Sequence, residues 1–131
     1  MDSIFTKIIK GEIPCYKISE NDKFFAFLDI RPNAKGHSLV VPKKQIDKLF
    51  DLDAETYLEL FEYAQKVARA LKKVVPCKRI GLSVIGLEVP HVHVHLIPLN
   101  SMDDINFSKK VSMEPREFSE LSAKIAKEMN S

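Results

Sequence analysis

"PHVHVHLIP" (residues 90–98) sets His91, His93 and His95 at alternate positions, with Val92, Val94 and Leu96 between and after them. The chain has four histidines, and three of them fall within these five positions. Alternation at period two is the pattern of a β-strand, whose successive side chains point to opposite faces. Residues 91–97 therefore read as a strand with all three imidazoles on one face and apolar residues on the other. A strand with one apolar face needs strands to pair with and a helix layer to cover it, so this stretch points to a mixed architecture.

The flanking segments supply both. Residues 79–85 read as a strand, joined to the first by "GLEVP" (86–90). The clearest helix is "DAETYLELFEYAQKVARALKKVV" (53–75). Asp53 is its N-cap, and Leu58, Phe61, Ala64, Val67 (or Ala68) and Leu71 recur at helical spacing. Basic residues gather at its end, and Pro76 stops it. Nearer the N-terminus, Asp2-Ser3 caps a short helix over 4–10 with Ile4, Phe5, Ile8 and Ile9 on its apolar face, and Gly11 fits the position after its end. Residues 15–19 and 23–28 read as strands joined by the turn Glu20-Asn21-Asp22, and "DIRPNAKGH" (29–37) as a loop leading into the strand "HSLVVP" (37–42). After a polar loop, Pro115 sits in the first turn of a final helix with Phe118, Leu121, Ile125 and Met129 on one side. The expectation is an α+β domain: a five-stranded antiparallel sheet, one long helix, a short N-terminal helix and a C-terminal one.

A length of 131 residues fits one domain, able to bury roughly two thirds of its unfolded surface. A net charge of +2 is too small to imply nucleic-acid binding. Lys43-Lys44, Lys72-Lys73 and Lys109-Lys110 are dispersed and read as solvated surface. No apolar run approaches the ~20 residues that span a bilayer. Asp2, Gly11 and Pro14 break any signal-peptide pattern. Cys15 and Cys77, far apart in such a chain, read as reduced thiols, and the expected location is the cytoplasm.

Three readings of the histidine face compete. It can be the polar side of a half-exposed strand. It can bind a metal, since imidazole is the commonest metal ligand, although Cys15 and Cys77 are isolated and no carboxylate directly follows the triplet. It can do phosphorus chemistry, because a neutral imidazole is a nucleophile near neutral pH and a neighbouring imidazolium can hold a phosphate oxygen.

His-Val-His-Val-His-Leu-Ile resembles the signature of the histidine triad (HIT) family, His-φ-His-φ-His-φ-φ with φ apolar. "IFTKIIKGEIP" (4–14) is similar to the opening helix and turn of that family, and "FAFLDIRPNAKGHSLVVPKK" (25–44) to its central segment. The resemblance covers residues 4–98 of a single domain over 1–131, leaves 99–131 as a C-terminal extension, and is nearest to the Hint-like nucleoside phosphoramidate hydrolases. It implies a HIT-like fold and a nucleotidyl-histidine intermediate formed on His93. It implies that His95 binds the α-phosphate, that His91 orients and tunes the site, and that His37 packs beside the triad. Asp29 matches the residue that accepts hydrogen bonds from the ribose hydroxyls, and Ile4, Phe5, Ile8, Phe27 and Ile30 match the slot around the base. The implied ligand is a purine nucleotide or nucleoside phosphoramidate, with no cofactor, no nucleic-acid or membrane partner, and a homodimeric state.

Two departures qualify that picture. Family members that carry structural zinc use an N-terminal Cys-x-x-Cys, a His after Pro-Lys-x and the first triad His. Here Ser3, Thr6 and Gln45 stand at the first three places, so no metal is expected. The loop before the triad, "SVIGLEVPH" (83–91), has no Asn, and Leu87 and Glu88 replace the Gln and hydroxyl residue that contact phosphate and leaving group in relatives. A carboxylate there repels an anionic phosphate unless protonated or turned away, or else it acts as a base or accepts a bond from an amine leaving group. A nucleotide-binding regulator without efficient turnover, and a metal-binding histidine protein, therefore remain as alternatives.

Overall fold

The computed structural model describes residues 1–130. Five strands, β1 (Lys17–Glu20), β2 (Phe24–Leu28), β3 (Ser38–Pro42), β4 (Arg79–Ser83) and β5 (Val94–Leu99), form one sheet in the order β1-β2-β3-β5-β4. Every neighbouring pair is antiparallel. Three α-helices, α1 (Ile4–Ile9), α2 (Ala54–Val74) and α3 (Pro115–Met129), complete the α+β domain.

The pleat divides the core in two. Phe24, Ala26 and Leu28 of β2, Val40 of β3 and Val94 and Leu96 of β5 point to the face covered by α2 and α3. Phe25 and Phe27 of β2, with Leu39 and Val41 of β3, point the other way and pack with Phe5, Ile8 and Ile9 of α1. That second face also carries the histidines. The final helix covers its own domain: Phe118, Leu121 and Ile125 join the first cluster, and Tyr16 stacks on Phe118 at 4.9 Å between ring centroids.

Several boundaries differ from the sequence reading. β5 begins at Val94, so His91, in a bend, and His93 lie in the loop that leads into it. Its ladder with β3 covers only Val94–Leu96 against Ser38–Val40, whereas the N–H of Val92 turns to the carbonyl of Ile46 (2.8 Å). Alternation survives all the same, with Val92 buried in the first cluster. The stripe of α2 is Leu60, Tyr63, Ala64, Val67, Ala70 and Leu71, and Leu58, expected on it, is 67% exposed. Two residues along a helix is a turn of about 200°, so Leu58 and Leu60 cannot share a face.

Gly36 fixes the entry to β3. Its φ is +98°, and a Cβ there would lie 2.9 Å from Cγ2 of Val75 and 3.1 Å from Cδ1 of Leu71. Only glycine lets the loop press this close to the end of α2, and His37 follows immediately.

Candidate active site

A cavity of about 620 Å³ opens on the histidine face. Ile4, Phe5, Ile8 and Phe27 form its apolar part, Asp29 and Ile30 one edge, Leu87 and Glu88 another, and His93 and His95 its floor. All of these except Leu87 are expected at the site from sequence. His37 and His91 stand behind the cavity wall rather than on it, both almost fully buried. Asp29 is half-buried. Its Oδ1 accepts the N–H of Arg31 (2.9 Å), so it makes a local turn as well as facing the cavity. Burial raises its pKa above the usual carboxylate value, opposed by the bond from Arg31 and by Lys110.

Hydrogen bonding fixes where the imidazole protons sit. Nδ1 of His93 lies 2.8 Å from the carbonyl oxygen of His91, which only accepts. That nitrogen must carry the proton, and a neutral ring then keeps its lone pair on Nε2. Among the described residues no sealed side-chain nitrogen or oxygen lacks a partner, and Nε2 of His93 has no protein partner, so it is open to the cavity. In His37 the order is reversed. The backbone N–H of Asn33 donates to Nδ1 (3.0 Å), so Nε2 carries the proton and donates to Nδ1 of His95 (2.9 Å). His95 must then hold its own proton on Nε2. Burial, followed by the charges of His95, Lys110 and His93, pushes the pKa of His37 down to about 3; burial, followed by His93 and Lys110, pushes that of His95 down to about 4. Both rings are neutral near pH 7, and His95 offers an N–H where the triad offers a lone pair two residues earlier.

His91 serves α1. Its Nε2–H donates to the carbonyl of Pro42 (2.7 Å) and its Nδ1 accepts from the hydroxyl of Ser3 (2.7 Å). Ser3 Oγ in turn caps α1 by accepting the N–H of Thr6 (3.0 Å). Gln45 Oε1 accepts both the N–H of Ser3 (2.6 Å) and the hydroxyl of Thr6 (2.7 Å). These are the positions that the family resemblance equates with a structural zinc site. The set here is two hydroxyls, one amide and one imidazole, already bonded to one another, and hydroxyl and amide oxygens are poor zinc ligands beside thiolate and imidazole. The residues do not fit the metal. Asp29, His37 and His95 do bring ligand atoms within 4.8 Å of one another, with a shared proton now bridging the two rings.

Sequence reading missed what the C-terminal extension brings. The ring of Phe107 packs against His95 (4.9 Å between centroids) and His37 (6.0 Å), and Lys110 lines the cavity. Lys109 and Lys110 are both exposed, as a solvated surface requires; Lys109 pairs with Asp103 at 2.9 Å, whereas Lys110 also borders the cavity. Nothing in "NFSKKVSM" (106–113) signals this, because the contact depends on how the extension returns to the loop at Asn33.

Residues 10–102 match the family model of the HIT domain. The chain belongs to the HIT family. It is 36% identical to an uncharacterized HIT-like protein of Borreliella burgdorferi, over 95% of this chain and 96% of that one. It is 39% identical to an adenosine 5′-monophosphoramidase of Schizosaccharomyces pombe, over 75% and 74% of the two chains. Among solved structures, a Hit-like protein of Bartonella henselae superposes with a TM-score of 0.83 at 32% identity, over 97% of this chain and 96% of that one. The fold expected from the histidine strand is thus the HIT fold. No helix among the described residues is long and apolar enough to cross a membrane.

Proposed function

We propose that this HIT protein hydrolyses or transfers at the α-phosphorus of nucleoside monophosphate derivatives, of phosphoramidate or dinucleotide type, through a nucleotidyl intermediate on His93. The observation that carries this is the pair of opposite tautomers, a bare Nε2 on His93 beside a protonated Nε2 on His95. In the first step Nε2 of His93 attacks phosphorus and a P–N bond forms. The bond to the leaving group breaks, its electron pair goes with that group, and solvent supplies the leaving group's proton. His95 Nε2–H donates to a phosphate oxygen as charge builds on it. In the second step water attacks, the P–Nε2 bond breaks, the pair returns to His93, and the spare proton leaves to solvent. The base lies among Ile4, Phe5, Ile8 and Phe27, with Asp29 accepting from the ribose diol. The monophosphoramidase activity named for the Schizosaccharomyces pombe relative is of this class.

The second reading, a nucleotide-binding regulator with little turnover, is favoured by the loop at Gly86. Leu87 is 90% exposed and Glu88 is exposed, so neither side chain offers a neutral donor to a leaving group. One experiment separates the two. Protein quenched during reaction with adenosine phosphoramidate is weighed by intact-mass spectrometry. The enzyme reading expects an adduct of one adenosine monophosphate that maps to His93 and is lost in His93→Ala. An adduct persisting in that variant, or mapped to His91 or His95, overturns the assignment; unmodified protein with tight nucleotide binding favours the regulator.

A further inference from the structure

The charges around the cavity do not balance as the histidine chemistry alone requires. His37 and His95 are held neutral by burial. The triad therefore offers a phosphate a hydrogen bond but no standing positive charge. Asp29 and Glu88 on the cavity wall are acidic. Two permanent cations line the same cavity, Arg31 and Lys110. They are not equivalent. The field of Lys110 reaches His37, His95 and Asp29, whereas that of Arg31 registers only at Asp29. Lys110 is the cation on the imidazole side.

Lys110 is also held in place. Its Nζ donates to Oδ1 of Asn33 (2.8 Å) and lies 5.2 Å from the centroid of the Phe107 ring, which itself rests on His95. Asn33 is buried and fixed by its own bond to the carbonyl of Asp104 (3.2 Å), and the next residue, Val111, donates its N–H to Pro32 (3.0 Å). Among the described residues no carboxylate lies within ion-pair distance of Nζ, and the partner it has is a neutral amide oxygen. An ammonium oriented by neutral groups, beside a site built for an anion, keeps its charge for a ligand.

We infer that Lys110 binds the phosphate of the bound nucleotide, so that the C-terminal extension completes the anion site opened by His93 and His95. The inference rests on the nucleotide reading and deepens it: the ligand class is a nucleoside 5′-phosphate, recognised at its phosphate by a cation from outside the triad.

Calorimetric titration of adenosine 5′-monophosphate and of adenosine into wild type, Lys110→Met and Lys110→Arg tests it. Methionine keeps the length and apolar stem of an exposed side chain, so folding is not at stake. A charge-assisted bond of this kind is worth about ten-fold or more in affinity. Lys110→Met should weaken the monophosphate by about that factor while leaving adenosine within about two-fold, and Lys110→Arg should recover most of the loss. The salt dependence of monophosphate binding should also flatten in Lys110→Met, as one screened charge is removed. Equal weakening of nucleotide and nucleoside, or no weakening of either, overturns the role of Lys110. Failure of the wild type to bind either compound instead defeats the nucleotide reading, and this inference with it.

Discussion

His93 and His95 carry the same side chain two residues apart and are held in opposite tautomers, each by a backbone group from elsewhere. The carbonyl of His91 takes the Nδ1 proton of His93, while the N–H of Asn33, acting through His37, denies His95 a proton on Nδ1. The alternation "HVHVH" was enough to place three rings on one face, but no spacing rule reports a proton set 58 residues away. The same applies to Lys110, whose neighbours in sequence are ordinary loop residues. His95→Ala should slow formation of the His93 adduct by a factor of about 10²–10³ without abolishing it, the usual effect of losing one stabilising donor. Quenched-flow sampling of the adduct checks this, and an unchanged rate would show that His95 does not donate to the phosphate. Asp29, half-buried at the cavity edge, should read the ribose. Asp29→Ala is expected to lose on the order of 1.5–3 kcal/mol of binding to ribonucleotides and much less to 2′,3′-dideoxyribonucleotides, measured by calorimetry. Equal losses would mean that the carboxylate serves only its turn with Arg31.

The existence of each element was readable from sequence, whereas ends and faces were less so. Asp53 caps α2 as expected, accepting the N–H of Thr56 at 3.1 Å, yet Leu58 was assigned to the wrong face because tertiary burial, not periodicity, decides between two overlapping stripes. The short helix α1 is the more instructive case. At six residues it is too short to be stable alone, and its anchorage is the bonded group of Ser3, Thr6, Gln45 and His91. It carries Phe5, whose ring meets His93 at 4.9 Å and His91 at 5.8 Å, so the first triad histidine acts on the base slot through α1. Ser3→Ala removes the cap of α1 and leaves Nδ1 of buried His91 with only the longer contact to the Thr6 hydroxyl (3.4 Å). The expected loss is about 2 kcal/mol, against about 1 for Asp53→Ala, where only an exposed cap is lost. Urea unfolding with constant m-value makes the comparison. A Ser3→Ala loss no larger than that of Asp53→Ala would mean that water replaces the serine and the latch is unimportant.

At the scale of the whole molecule, strand order was beyond the sequence. β4 follows α2 in the chain but lands at the outer edge of the sheet beyond β5, where Leu82 is left exposed. The homodimeric state that the family resemblance implies is tested at this edge: sedimentation velocity should give twice the chain mass for wild type and a monomer for Leu82→Glu, and a wild-type monomer would end that expectation. The histidine face has a global consequence of its own. His37 and His95 face one another, His93, Asp29 and Lys110, and their folded pKa values, about 3 and about 4, lie below the 6.5 of an unfolded histidine. The unfolded chain therefore takes up protons below pH 6.5 while the folded chain does not, so the stability contributed by these rings is complete above that value and is lost as pH falls towards 4. Between pH 6.5 and 5.5 the loss is about 1 kcal/mol for each ring, and His91, whose pKa burial also lowers, adds in the same direction. Asp29, raised by burial, works against the trend, because a carboxyl that binds its proton more tightly when folded gains stability as pH falls. Histidines outnumber it, so the net slope keeps their sign. Urea unfolding at pH 7.5, 6.5 and 5.5 should show a plateau followed by a fall, and His37→Gln should reduce that fall. Equal stability at pH 7.5 and 5.5 would show that the imidazoles accept protons in the folded state, and would undo the neutral tautomers on which the proposed chemistry depends.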